Sequence, residues 1–425
     1  MDGWIVVESG GGMPVERPRV LISGASVAGP VLAYWLHRFG FRPTVIERVA
    51  DLRVGGGGHA VDLFGPVVEL MDWMGVLPEV EQARTQTEVI ALARPGRRPV
   101  EVPAEMLSEG VSERHIEIMR GDLAKIVYEA TRGQVEYVFD DSIATVHDDG
   151  SQVEVTFERG GPRTFEFLVG ADGLHSITRR LVFGPEESYL QFLGGYLAVF
   201  TVPNYLHLEN RMVGFAVPGR TAALYPVGDR SQARVVLLWR TPRLHDYDRH
   251  DRDAQRQLLC NLYGDLGWEV PRLLTELDQA EDLYLDSISQ VVMDAWTSGR
   301  VALVGDAGYS PGAALGGGTS LAIIGAYILA SELVRAGGDH VRGFTAYQRA
   351  LEPVVRDSRM IGPTAINLII PQSRRQIWLT TQTLRVLPHL PAALRHRLTA
   401  FGGSAAAMLN EARLSKPDEL SRWVP

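Results

Sequence analysis

The chain has 425 residues, 45% of them hydrophobic, enough to build about two or three domains with a sizeable core. A formal net charge of −9 argues against a nucleic-acid binder, whose domains usually carry a basic face. The single cysteine, Cys260, excludes an internal disulfide, fits a reducing cytoplasm and has no activating neighbours in sequence.

The N-terminal stretch "MDGWIVVESGGGMPVERP" has no basic region leading into an apolar one. Residues 1–18 therefore read as a flexible extension rather than a secretion signal. No apolar run reaches the ~18 residues that span a bilayer. A cytoplasmic protein without a membrane span is expected.

"RVLISGASVAGPVLAYWLHRFGFRPTVIERV" follows, Arg19 to Val49. Val20 to Ser23 reads as a buried strand, Gly24 to Gly29 as a turn, and Val31, Leu32, Trp35 and Leu36 as one face of a helix that stops near Gly40. Thr44 to Ile46 is a second strand, and Glu47 ends it 18 residues after Gly29. That is the layout of a dinucleotide site, with a diphosphate on the helix N-terminus and a carboxylate on ribose hydroxyls. The fingerprint GxGxxG appears as Gly24-Ala-Ser26-Val27-Ala28-Gly29, with serine in place of the middle glycine. A βαβ turn without a ligand is the plainer alternative, and this unit alone does not separate NAD from FAD.

Downstream, Phe165, Phe167 and Val169 read as a strand, "ADG" as a turn, and Ser176 to Leu181 as the start of a helix. By itself Asp172 reads as a helix cap. Then "GRVALVGDAGYSPGAALGGGTS" sets an apolar strand before Asp306, and Gly316, Gly317 and Gly318 before the apolar helix "TSLAIIGAYILASEL". A helix N-terminus ringed by glycines attracts anions and carbonyl oxygens; glycine-rich packing of strand on helix is the alternative.

These three motifs, in this order, resemble the flavoprotein monooxygenases related to p-hydroxybenzoate hydroxylase (group A). The likeness covers most of Arg19 to Ala336 and inclines toward actinobacterial enzymes of natural-product or aromatic oxidation. It implies an α/β fold, with a Rossmann-like FAD-binding domain of the GR2 type, an inserted antiparallel substrate sheet and C-terminal helices. The implied division is 19–183 and 282–340 for the FAD-binding domain, 184–281 for the substrate domain and 341–425 for the helices. It also implies one non-covalent FAD, with NAD(P)H as a transient co-substrate and a small-molecule substrate. Glu47 and Arg48 would meet the adenosine ribose, Gly24 to Gly29 the diphosphate, and Arg120 of "RGDLAKIVYEA" the cofactor. Asp306 would bind the ribityl chain or diphosphate, and Leu315, Gly316, Gly317, Gly318 and Thr319 would lie along the isoalloxazine. Asp172 and Gly173, completed by Ser176 and Arg179, would contact FAD indirectly and help NAD(P)H bind. Reduced flavin would form a C4a-hydroperoxide and pass one oxygen to the substrate.

The chain departs from the family's usual "GDAAH…PP…GQG". Gly308 and Tyr309 replace Ala and His, Ala313 stands where a proline commonly faces the flavin, and Gly317 replaces a larger polar residue. These changes keep two other readings open: a non-redox, FAD-scaffolded cyclase of a polyketide, and an FAD-dependent reductase of an isoprenoid.

Between Tyr189 and Arg240, period-two alternation with Pro-Gly and Gly-Asp turns reads as an antiparallel sheet. Phe192, Tyr196, Phe215, Tyr225 and Trp239 are its candidate substrate walls, or else packing residues. No HExxH, CxxC or acid cluster suggests a metal site. His59, His115 and His175 read as structural, and no catalytic base is assigned. Gly55 to Gly58 would, by resemblance, border the flavin edge; a flexible loop is equally compatible. From His340 on, the chain reads as helices packed on the FAD domain or as a basic amphipathic surface for a membrane or carrier. A monomer or homodimer fits equally.

Overall fold

The computed structural model describes residues 17–52, 58–108, 114–245, 251–313, 317–391, 394–395, 409 and 414–420. Most of the expected N-terminal extension, Gly55 to Gly57, and Leu315 and Gly316 lie outside these residues.

The chain begins β1 (Arg19–Ser23), α1 (Ala28–Arg38), β2 (Arg42–Glu47), as the spacing predicts. It continues through β3 (Ala60–Phe64), α2 (Gly65–Trp73), α3 (Leu77–Gln82), β4 (Val89–Arg94), β5 (Arg97–Pro103) and α4 (Ala104–Ser108). Next come β6 (His115–Met119), α5 (Arg120–Glu129), β7 (Glu136–Phe139), β8 (Ile143–Asp148), β9 (Val153–Phe157) and β10 (Arg163–Phe165). β11 (Phe167–Gly170) and α6 (Ile177–Val182) lead into the long strands β12 (Leu190–Pro203), β13 (Arg211–Val217), β14 (Arg220–Val227) and β15 (Gln232–Arg240). After α7 (Arg252–Tyr263) and α8 (Val270–Leu277) come β16 (Tyr284–Val291), β17 (Thr297–Ser298), β18 (Val301–Leu303) and the short α9 (Asp306–Tyr309). The C-terminal part is α10 (Gly318–Arg335), α11 (His340–Ile369) and α12 (Arg374–Val386).

One six-stranded sheet has the order β17-β18-β11-β1-β2-β7, parallel except at β17. Val20, Leu21 and Ile22 are fully buried, as a central parallel strand covered on both faces requires. α1 and α10 pack together on one face, where Trp35 meets Tyr327 edge to face at 4.8 Å. α10 is long and apolar enough to cross a membrane, but 72% of its apolar window is buried inside the protein, as in a core helix. The run from Phe165 to Val169 is not one strand. β10 belongs to a small antiparallel sheet with β9 and β8, and the chain changes sheet at Glu166.

The second sheet has seven strands in the order β16-β12-β15-β14-β13-β4-β5. The segment 184–281 misses two of its parts. The β4–β5 hairpin joins through a parallel pairing of β4 with β13, and β16 pairs with β12. Neither pairing is visible locally, because the partners lie far apart in sequence.

Candidate functional site

The three motifs follow the C-terminal ends of adjacent parallel strands. Ser23, Gly170 and Leu303 end β1, β11 and β18, and each leads directly into a glycine-containing turn. Open parallel sheets bind ligands at this edge.

The first turn needs its glycines. Gly24 has φ +110°, and a Cβ there would lie 2.5 Å from the Ala171 carbonyl oxygen. A Cβ on Gly29 would lie 1.9 Å from the oxygen of Gly24. Glu47 reaches back to the same turn, accepting from the Ala25 N–H at 2.9 Å and the Val49 N–H at 3.2 Å. Arg120, which opens α5, donates to the Ser26 hydroxyl at 3.2 Å. Arg48 is exposed just beyond β2. Val27 caps α1 without a side-chain hydrogen bond, so the first-turn amides around Ala28 keep their donors free.

The third motif converges on the first. A Cβ on Gly305 would lie 2.9 Å from the Cβ of Ala322 on α10 and 3.7 Å from that of Ala28 on α1. Asp306 is half-buried beside this point and accepts no hydrogen bond from the described residues. α10 starts bare as well: its cap is Gly317, at φ +78°, followed by Gly318 and Thr319. In contrast, α7, α11 and α12 are capped by the side chains of Asp251, Asp339 and Ser373.

Asp172 has a different task. It accepts from the Thr178 N–H and hydroxyl, both at 2.9 Å, and from Ser176 and Ser23. Its oxygens are occupied in holding the start of α6, so any influence on a cofactor is indirect. Arg179 is fully buried and donates to the Ala307 carbonyl at 2.9 Å, tying the second motif to the third.

Tyr309 is a packing residue. Its ring is fully buried, edge-on to Trp296 at 5.4 Å, with its hydroxyl 3.0 Å from that of Tyr347. A Cβ on Gly325 would lie 2.0 Å from that hydroxyl. The exchange of histidine for tyrosine is thus matched by a glycine on α10. Ala313, by contrast, packs with the second sheet.

The structure distributes the expected substrate walls over two faces of the sheet. Phe192, Tyr196, Phe215 and Trp239 pack on one face with residues of α7 and α8. Strand alternation places Leu197, Val199, Ala223, Tyr225, Val236 and Leu238 on the other face, with Met119, Ala60 and Ala313. Of the five residues, Tyr225 lies on this face. Burial pushes its phenol up to about 12, and its oxygen accepts from the Ala60 N–H at 3.0 Å. Burial, with Arg120 adding to it, lowers His59 to about 4, so that imidazole is neutral.

Sequence reading missed the role of β16. Tyr284, Asp286, Ile288 and Gln290 alternate onto one face of the strand. Gln290 donates to the carbonyls of Pro311 at 3.1 Å and Arg359 at 2.8 Å. Asp286 lies 2.9 Å from Nε2 of His175, whose Nδ1 lies 3.0 Å from Glu186. Burial works to lower the His175 pKa, but these two carboxylates overcome it and hold it raised. In "YLDSISQV" Asp286 and Gln290 fall on one parity and Ser287 and Ser289 on the other, so alternation alone does not single out the row.

A parallel sheet with an unpaired carboxylate and two bare helix N-termini at one edge is the frame of a dinucleotide-dependent oxidoreductase. Residues 17–357 match the FAD binding domain family. A flavin-dependent monooxygenase of Legionella longbeachae is 36% identical over 351 residues, covering 81% of this chain and 87% of that protein. Monooxygenase CTB7 of Cercospora beticola is 32% identical over 393 residues, 88% and 93% of the two chains. The crystal structure of tetracycline destructase Tet(51) is similar at a TM-score of 0.80 and 32% identity, over 94% of this chain and 99% of that one. The chain belongs to the FAD-dependent, group A flavoprotein monooxygenases.

Proposed function

We propose that the protein uses NAD(P)H and O2 to place one oxygen atom on an aromatic or polyketide-type small molecule, the second oxygen leaving as water. The observation that carries this reading is the apolar cluster on one face of the second sheet, which Met119 beside Arg120 and Ala313 of the loop before α10 both join. When bound, FAD supplies the two-electron chemistry that links nicotinamide oxidation to oxygen reduction.

The chain's residues fit that cofactor. Glu47 would accept from ribose hydroxyls, the amides at the start of α1 would hold the diphosphate with Arg120, and Asp306 would accept from a hydroxyl of the linker. Gly317 to Thr319 would bring backbone against the flat ring, with Leu315 and Gly316 proposed beside them. Leu197, Val199, Ala223 and Leu238 would exclude water from the reacting atoms. Tyr225 spends its oxygen on the Ala60 N–H and keeps its own O–H proton to orient a substrate oxygen.

The likeness to tetracycline destructase Tet(51) favours a flat polycyclic substrate. The cyclase reading loses one support, since Tyr309 is a packing residue.

The test uses the yellow holoenzyme with NADPH or NADH, 18O2 and tetracycline as the first probe, followed by other polycyclic aromatics. The expected result is nicotinamide oxidation stimulated by substrate and a product carrying one 18O atom. Product formed anaerobically without a nicotinamide would overturn the reading.

A further inference from the structure

The acidic chain has a strongly basic end. Between Asp357 and Glu411 the sequence contains no acidic residue and six arginines. α12 lies in this stretch and packs against β5 and β13 at the far edge of the second sheet. Its inward side carries Ile377, Thr381 and Leu384, which are half-buried or buried.

The outward side of α12 is apolar as well as basic. Trp378 is 61% exposed, Leu379 57% and Val386 50%. Helical spacing sets them among the exposed Arg374, Arg375 and Arg385. A helix with both faces apolar and with arginines flanking the outer one suits the boundary between water and lipid.

Beside this face is a concavity of about 430 Å³ between α12 and the β4–β5 hairpin. Arg94, Arg97, Arg98, Arg385 and His389 line it, with Glu101 as the one carboxylate among its lining residues. Glu101 is engaged by Arg211 at 2.8 Å. None of the four lining arginines forms an ion pair with the described residues. Four like charges at one mouth repel one another unless an anion answers them. Desolvation, Arg385 and Arg97 hold the Arg94 pKa below its usual value, in keeping with that crowding.

We propose that this surface docks the enzyme on an anionic phospholipid membrane. The arginine-lined concavity takes headgroup phosphates, and Trp378, Leu379 and Val386 enter the interface. A tryptophan suits that depth because its ring is apolar and its N–H is polar. An acidic carrier protein would answer the arginines, but it would not explain three large apolar side chains set in solvent between them. Docking would place the enzyme where apolar polycyclic molecules accumulate.

The experiment is co-sedimentation of the full-length holoenzyme with vesicles, one set containing phosphatidylglycerol in phosphatidylcholine and one of phosphatidylcholine alone. The expected result is binding to the anionic vesicles only, weakened by salt. The triple variant Arg97→Ala, Arg98→Ala, Arg385→Ala should weaken binding by roughly a hundredfold, since each basic side chain near such a surface contributes about a factor of five. Trp378→Ser should weaken it by about tenfold and leave FAD content unchanged. Inorganic phosphate at millimolar concentration should not release the vesicle-bound protein, which separates a lipid surface from a site for free phosphate. Equal recovery in the supernatant with both vesicle types, unchanged binding by the variants, or full release by phosphate would each overturn the proposal. Retention on an acidic carrier protein without vesicle binding would also overturn it.

Discussion

The two faces of the seven-stranded sheet carry different side chains on the same strands. Toward α7 and α8 stand Tyr196, Phe200, Phe215 and Trp239, with Tyr196 stacked on Trp239 at 5.1 Å and Phe215 on Trp268 at 5.4 Å. On the other face stand Leu197, Val199, Ala223, Tyr225, Val236 and Leu238, with Ile366 of α11 and Ile370 just beyond it packed among them. Interlocking rings fill the first face, and smaller side chains with a few polar groups make up the second. The difference teaches that aromatic bulk in this sheet marks a packed core. Aromatic residues in a sheet are therefore poor guides to a substrate pocket.

Three experiments bear on that contrast. The largest effect is expected from Trp239→Ala, which empties the centre of the packed face. It should cost about 3–5 kcal/mol of unfolding free energy in urea, with the substrate KM of the folded enzyme unchanged. A large rise in KM with little loss of stability would reverse the assignment of the faces.

The adjacent alanines of β14 give a sharper comparison. Ala222 is on the packed face and Ala223 on the other. Ala222→Leu should overpack its site at about 1–3 kcal/mol and leave substrate binding alone. Ala223→Leu should cost less than about 1 kcal/mol and raise KM by about tenfold by occupying ligand space. Thermal unfolding and steady-state kinetics of the two proteins decide it.

The smallest effect concerns the polar row of β16. His175 has a folded-state pKa raised above the usual 6.5 by Asp286 and Glu186, against the lowering effect of burial. Its contribution to stability is therefore fully present below about 6.5 and is lost as pH rises through the folded-state value. His175→Gln should cost about 1 kcal/mol or less near pH 6 and progressively less toward pH 9. Denaturant midpoints across pH measure this, and a cost that grows with pH would contradict the pairing.

Much of the cofactor half was legible because its determinants are local. The turn from Gly24 to Gly29, the strand ending at Glu47 and the glycines before α10 each announce themselves within a few residues. The second sheet was legible only as alternation. A period of two says that Tyr196 and Leu197 face opposite ways, but which face meets the first domain depends on helices more than fifty residues away. The same holds for Tyr309. As a single substitution it suggested altered chemistry over the flavin; its meaning came from Gly325 and Tyr347, which only the folded chain brings to it. The placing of the β4–β5 hairpin in the second sheet rests on a parallel pairing across more than a hundred residues.

One strand has a consequence for engineering. β16 grips the segment after Asp172 through Asp286 and His175, and the segment after Asp306 through Gln290 and Pro311. A seven-stranded sheet grafted from a relative would arrive with its own version of these two handholds. A chimera that moves strands β12 to β15 alone keeps the native fastening. One that also carries β16 must bring matching residues at 175 and in the Pro311 loop, or the transplanted sheet will sit askew on the first one.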